Sequence, residues 1–222
     1  MLNINPKSWL LALLIIMSVA KVMGNVPVRY DLHPMGSLNR IEVELFKGDF
    51  FGKGVVRGVF KNIQGNLNFS IEQPQFTSGN IFLNAQSLHF GYHKVDGDSK
   101  NSTWLDIGKY PEIVFELKKL KSPRWSNNTI NATASGMLSL KSKRILINFP
   151  VKIKYGRSLR KEFDGKQGDL LLVKGEFKLS RSELGINPGK MLNIIADEIN
   201  IKISLAGSTL KSRPLLPSKL FF

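Results

Sequence analysis

Apolar and polar residues alternate through most of residues 41–205. In one clear stretch Ile145, Ile147, Phe149, Val151 and Ile153 are apolar, with Arg144, Asn148, Lys152 and Lys154 between them. The same odd-numbered face recurs in Ile41/Val43/Leu45, Leu67/Phe69/Ile71, Ile113/Phe115/Leu117, Val173/Phe177/Leu179 and Ile199/Ile201/Ile203/Leu205. Successive strand side chains point to opposite faces, so each segment has one dry side and one wet side. Six or more such segments in a short chain describe an all-β antiparallel barrel or sandwich, not a parallel sheet covered by helices.

Strands are expected at 26–32, 38–46, 55–60, 65–71, 80–88, 113–120, 130–140, 145–155, 170–181 and 198–206. Phe50-Phe51-Gly52 with Gly54 reads as a bend, residues 61–64 as the turn of a hairpin, and 123–128 as another turn. A short helix fits residues 99–107, ending at Gly108, with Trp104 and Leu105 packed on a barrel opening. Gly185, Pro188 and Gly189 exclude a long helix before the last strand.

The ends differ from this pattern. Lys7 precedes an apolar run from Trp9 to Val19, and Val22-Met23-Gly24 offers small residues for cleavage. Residues 1–24 therefore read as a secretory signal peptide, the run being short for a span of roughly 30 Å of hydrocarbon. Residues 25–207 follow as one domain, and 208–222 as a basic, flexible tail carrying Lys211, Arg213 and Lys219. With no cysteine in the chain, the exported domain must hold itself together by packing and sheet hydrogen bonds.

The net charge of +15 over 222 residues invites a nucleic-acid reading. Many of the cations, Arg57, Lys118, Arg144, Lys152, Lys154, Lys174, Lys178 and Lys202 among them, fall at outward strand positions. The aromatics that a base-stacking platform needs fall on the apolar face instead. Nucleic acid is therefore not expected as a partner, and attraction to an anionic membrane surface fits better.

Catalytic motifs are sparse. His89 and His93 with Asp96 and Asp98 could hold a metal only if the intervening residues were helical, so they read as a polar loop and no metal is expected. There is no Gly-x-Ser-x-Gly elbow and no phosphate-binding glycine loop. A barrel lined by Phe, Ile and Leu either fills itself with side chains or encloses an apolar ligand.

Several landmarks resemble one family. Tyr30-Asp31-Leu32-His33-Pro34 with Ser37, then Val56-Arg57-Gly58-Val59-Phe60 and Ile63-Gln64-Gly65, are similar to its opening strands. Residues 104–115, from Trp104-Leu105-Asp106 through Lys109-Tyr110-Pro111 to Phe115, resemble its most specific stretch. Gly136-Met137-Leu138-Ser139-Leu140 and Arg181-Ser182-Glu183-Leu184-Gly185-Ile186 follow in order. This is the YceI-like family of exported lipocalin-like barrels associated with polyisoprenoid binding, matched from about Val28 to Ala206. The chain departs from it at Gly36 and Lys141, where family members carry histidine, and at Val95, Asp98 and Ser99, where they carry arginine, histidine and leucine.

The resemblance implies a lipocalin-like barrel in the periplasm that binds, carries or sequesters an apolar long-chain lipid, such as a polyisoprenoid or isoprenoid quinone, without bond making. No cofactor is required; the quinone or other polyisoprenoid would be the bound ligand. The expected wall is Phe60, Phe69, Phe115, Met137, Phe149 and Phe177, with Trp104 at one opening. The strand of Met137 can also be read with Leu138 and Leu140 inward. Partners consistent with this reading are the lipid, a membrane surface and a second copy in a homodimer. The alternatives are a closed barrel that binds membrane or protein through its basic outside, and an envelope hydrolase using the loop from His89 to Asp98.

Overall fold

The computed structural model describes residues 26–32, 38–47 and 54–212. The expected export signal, the bend at 50–52, the His33-Pro34 to Ser37 landmark and most of the tail lie outside them. Among the described residues ten strands appear: β1 (Val28–Leu32), β2 (Arg40–Lys47), β3 (Val55–Phe60), β4 (Ile63–Phe69), β5 (Ser78–Asn84), β6 (Glu112–Ser126), β7 (Thr129–Leu140), β8 (Lys143–Gly156), β9 (Leu170–Ser180) and β10 (Ile195–Ser208). The helices α1 (His93–Lys100) and α2 (Lys161–Asp164) lie between them.

The sheet runs β1-β4-β5-β6-β7-β8-β9-β10, and β1 pairs again with β10, closing an eight-stranded antiparallel barrel. The remaining pair continues that closure. Leu32 faces both Gly65 and Gly207, while Ile41 faces Phe60 and Ile203. So β1 and β2 occupy successive parts of one strand position in the barrel, and β3 and β4 fill the position beside them. The expected hairpin around residues 61–64 is therefore absent. β3 pairs with β2, and β4 pairs with β1 and β5.

The odd-numbered apolar face points inward. Ile41, Val43, Leu45, Ile113, Phe115, Leu117, Ile147, Phe149, Val151, Ile153, Ile199, Ile201 and Leu205 are all buried. Burying such residues contributes roughly 1.5–3 kcal/mol each, which is what closes a cysteine-free barrel. Two bulges in β6 alter this parity. After the first, between Leu117 and Lys119, the inward residue is Leu120. The second lies between Lys121 and Arg124, with Ser122 at φ 47°. Pro123, which cannot donate to a ladder, sits inside that bulge, so β6 continues to Ser126 where a turn was expected at 123–128.

Other boundaries shift for local reasons. The fifth strand ends at Asn84, not 88, because the Asn84 side chain accepts from Gln86 N (2.9 Å) and starts a 3-10 turn. The helix expected at 99–107 lies at His93–Lys100 instead. Asn101 Oδ1 accepts from the backbone N–H groups of Thr103 (3.1 Å) and Trp104 (3.2 Å). That local turn competes with helix and stops it. Asp96 in the first turn and Lys100 in the last suit the helix dipole.

On the outer surface Glu44 is buried beneath a polar cluster. It accepts from Asn200 Nδ2, Arg57 Nε and Lys202 Nζ, each at 2.9 Å. These bonds, that from Asn200 foremost, lower its pKa from 4.5 to about 2. A depressed carboxylate pKa stabilises the fold above the unfolded-state value and loses that effect as pH falls through the folded one. Glu44→Gln should therefore lower stability by about 1–2 kcal/mol at pH 7. In urea titrations the gap should close between pH 4.5 and about 2; a gap independent of pH contradicts this assignment.

Candidate functional site: a blind apolar cavity beneath a laced end

The barrel interior is filled over one half and hollow over the other. In the filled half Phe69 packs edge-on against Tyr30 (6.0 Å between ring centroids) and beside Tyr155 (6.4 Å), with Leu67, Leu120, Ile130 and Leu171 buried there too. Buried Asp169 ties that end by accepting from Tyr155 Oη (3.0 Å) and Ser158 N (2.9 Å). Nearby, Arg160 donates to Thr209 O (2.6 Å).

The hollow half is a cavity of about 380 Å³. Its walls are the inward residues of the strands, among them Ile41, Leu45, Phe115, Leu138, Phe149 and Ile201. Phe149 is central: its ring stacks on Phe177 at 4.2 Å and lies 5.5 Å from Phe115. Phe115 in turn rests on Gly136, where an added Cβ would lie 2.6 Å from Phe115 Cζ and 2.4 Å from Glu116 O. Gly136→Ala should thus displace the strand or the ring, at about 1–3 kcal/mol. A urea midpoint equal to that of the parent protein would show that the backbone yields freely.

The mouth of the cavity is covered by α1, the turns at 101–109 and the loop 181–195. Arg181 organises this cover. The residue is fully buried, and its guanidinium donates to five carbonyls: Ala196 (3.1 Å), Ile186 (3.2 Å), Asn187 (2.7 Å), Lys190 (2.5 Å) and Ile195 (3.1 Å). Those bonds use the whole donor fork. Its face lies 5.7 Å from the Trp104 ring. Burial lowers the Arg181 pKa, and Asp197 opposes that shift. Asp197 itself is held below the usual carboxylate range by hydroxyl donation from Ser180 and then Ser182.

Three further bonds latch the loop to the opposite side. Asn187 N donates to Thr103 O (2.9 Å), and Lys141 Nζ donates to Ser102 O (3.2 Å) and Gly185 O (3.1 Å). Lys141, one of the departures from the family pattern, is thus part of the latch. The polar lining is committed in the same way: Ser99 donates to Asp96 O, and Thr103 Oγ1 to Asn101 Oδ1.

Of the residues expected to form the wall, Phe60, Phe115, Phe149, Phe177 and Trp104 do line the cavity. Phe69 and Met137 do not. Phe69 belongs to the filled half, because β4 carries it beyond the cavity floor. Met137 sits on the outer side of β7, opposite Leu146, which is 59% exposed. Leu138 and Leu140 point inward instead. Sequence reasoning missed Arg181 as an organiser, since an arginine at a strand end carries no periodic signal.

The loop considered for metal binding is organised differently. His89 Nδ1 meets Asp96 Oδ2 at 2.7 Å and Lys94 meets Asp98 at 2.8 Å. Among the described residues no group of three or more potential ligands shares a site.

Comparison with known proteins agrees with this architecture. BcnA of Burkholderia cenocepacia superposes with a TM-score of 0.64 at 19% identity, covering 79% of this chain and 99% of that one. A polyisoprenoid binding domain from Saccharophagus degradans, implicated in plant cell wall breakdown, superposes with a TM-score of 0.58 at 10% identity, covering 81% and 98%. In sequence, a UPF0312 protein of Pseudomonas savastanoi is 30% identical over 77 residues, covering 35% of this chain and 40% of that protein. The match thus spans less than half the length of that relative. The YceI-like domain model matches residues 30–206, and the chain belongs to the YceI-like family.

Proposed function

We propose that the barrel binds an apolar long-chain lipid, a polyisoprenoid or isoprenoid quinone, and carries or sequesters it in the periplasm after export. The observation that carries this reading is the cavity itself: a space of about 380 Å³ walled mainly by Phe, Ile and Leu side chains, with its polar residues, among them Ser99, Asn101, Thr103 and Arg181, gathered at the mouth. An empty apolar space forfeits packing, whereas an occupied one recovers roughly 25 cal/mol per Å² of apolar ligand surface. The likeness to a polyisoprenoid binding domain supports the ligand class. The filled half makes the site blind at its floor, so the ligand's chain would insert towards Phe115 and Phe149. Its polar end would stay near Trp104 and the mouth.

The closed-barrel alternative requires side chains packed across the whole axis, and they do so over only half of it. Trp104 provides a direct test. With Trp9 and Trp125 replaced by Phe, titration with a soluble short-chain ubiquinone should quench the remaining Trp104 emission saturably. Emission that falls only linearly, as for free tryptophan in solution, argues against occupancy.

A further inference from the structure

The mouth of the cavity is crossed by hydrogen-bonded loops, and the barrel wall is not uniform. β8 and β9 are laddered only from Val151↔Gly175 to Gly156↔Leu170. Yet β8 extends back to Lys143 and β9 on to Ser180. By contrast, β7 pairs with β8 over all of Thr129–Leu140, and β9 with β10 over all of Leu170–Ser180. Along residues 143–150 and 176–180, therefore, no ladder joins the two strands. Pro150, with no N–H to give, sits where the ladder stops. The stacked rings of Phe149 and Phe177 bridge this seam from inside, and both line the cavity.

The outside of the seam is basic. Lys152 lies directly opposite Lys174 in the register, a like-charged pair that disfavours the sheet. Lys154 stands on the same strand and the same outward face as Lys152. Among the described residues none of these three has an acidic partner within ion-pair distance. Leu146 projects from the same unladdered stretch, 59% exposed. A groove of about 460 Å³ lies at the foot of the seam, between Pro150, Lys152, Lys174 and Gly175. Uncompensated lysines around exposed apolar surface suit the anionic headgroups and acyl layer of a bilayer.

We propose that the outer β8–β9 face docks on an anionic phospholipid bilayer and that the unladdered seam passes the apolar chain between bilayer and cavity. This rests on the carriage reading. The wall opens there by moving two stacked rings, whereas the mouth would have to give up the Arg181, Lys141 and Asn187 bonds. A chain too long for the cavity would leave through the same gap.

The absence of cysteine makes the test direct. Continuing the register past Pro150 sets Asn148 opposite Lys178. Asn148→Cys with Lys178→Cys can be bridged by a short, reductant-cleavable thiol crosslinker. Lys121→Cys with Thr133→Cys, across the laddered β6–β7 pair, serves as the control. A pyrene-tagged alkane is offered in phosphatidylcholine vesicles with or without phosphatidylglycerol.

Vesicle binding should require phosphatidylglycerol, weaken with salt, and fall at least ~tenfold in Lys152→Gln/Lys154→Gln/Lys174→Gln. The bridged seam should slow probe uptake by ~tenfold, with reductant restoring it and the control pair having no effect. Unchanged uptake through a bridged seam overturns the portal. Equal binding to neutral vesicles, or a low-salt dimer formed through this face in place of vesicle binding, overturns the docking. The same probe delivered from solvent separates the two readings. If it binds there while the seam results fail, carriage stands and the portal falls; if it never binds, both fall.

Discussion

Arg181→Met is expected to destabilise the protein by about 3–4 kcal/mol and to release any bound lipid. The side chain is fully buried, and its five donors satisfy five carbonyls of the loop and strand that cover the cavity. Methionine fills similar space but donates nothing, so those carbonyls must stay unpaired or turn to water. Turning to water means that the loop 181–195 lifts, which also breaks its bond to Thr103. The loss is smaller than five separate hydrogen bonds because the loop recovers hydration once open. Arg181→Lys should recover only part of the stability, since an ammonium offers three donors and no planar fork. Urea unfolding gives the magnitude. A decrease below 1 kcal/mol for Arg181→Met would show that the loop is held by its apolar contacts through Leu184 and Ile186 alone.

Phe149→Asp should abolish ligand retention. The ring is the centre of the aromatic group formed with Phe115 and Phe177, and it lines the cavity at its floor. A carboxylate there either draws water into the cavity or stays protonated, and both disfavour an apolar chain. The variant also costs stability, on the order of 3–5 kcal/mol for loss of a buried phenylalanine. Phe149→Leu is therefore the companion: it keeps the site apolar and should retain ligand with affinity reduced by only about tenfold. Unchanged lipid content in a folded Phe149→Asp protein would remove this residue from the site.

Much of the barrel was legible because its central strands, β2, β8 and β10, keep strict period-two alternation on one parity. The reading failed where the backbone breaks that parity or where local side-chain bonds override it. In β6 two bulges change which residues face inward, and a proline that looked like a turn rests in the second. β7 carries small residues on both faces, so Met137 and Leu138 could not be told apart by hydropathy. Their orientation is set by pairing with β6 and β8. The helix was displaced because Asn101 satisfies backbone donors with its own side chain. The aromatic wall was largely visible from the alternating pattern, but Phe69 shows its limit. Alternation says that a residue points inward, not how far along the axis the barrel is already full. Arg181 was invisible as an organiser because its partners are carbonyls from a loop without repeating pattern. The seam was equally hidden, since a missing ladder between two well-formed strands leaves each strand's own alternation intact.

The most direct test of the account is mass spectrometry of lipid extracted from the mature protein purified from its native envelope, with denatured protein as control. A single apolar long-chain species at one per chain, lost in Phe149→Asp, is the predicted result. Protein that emerges empty, and that takes up neither quinone nor polyprenol when these are added, would contradict it.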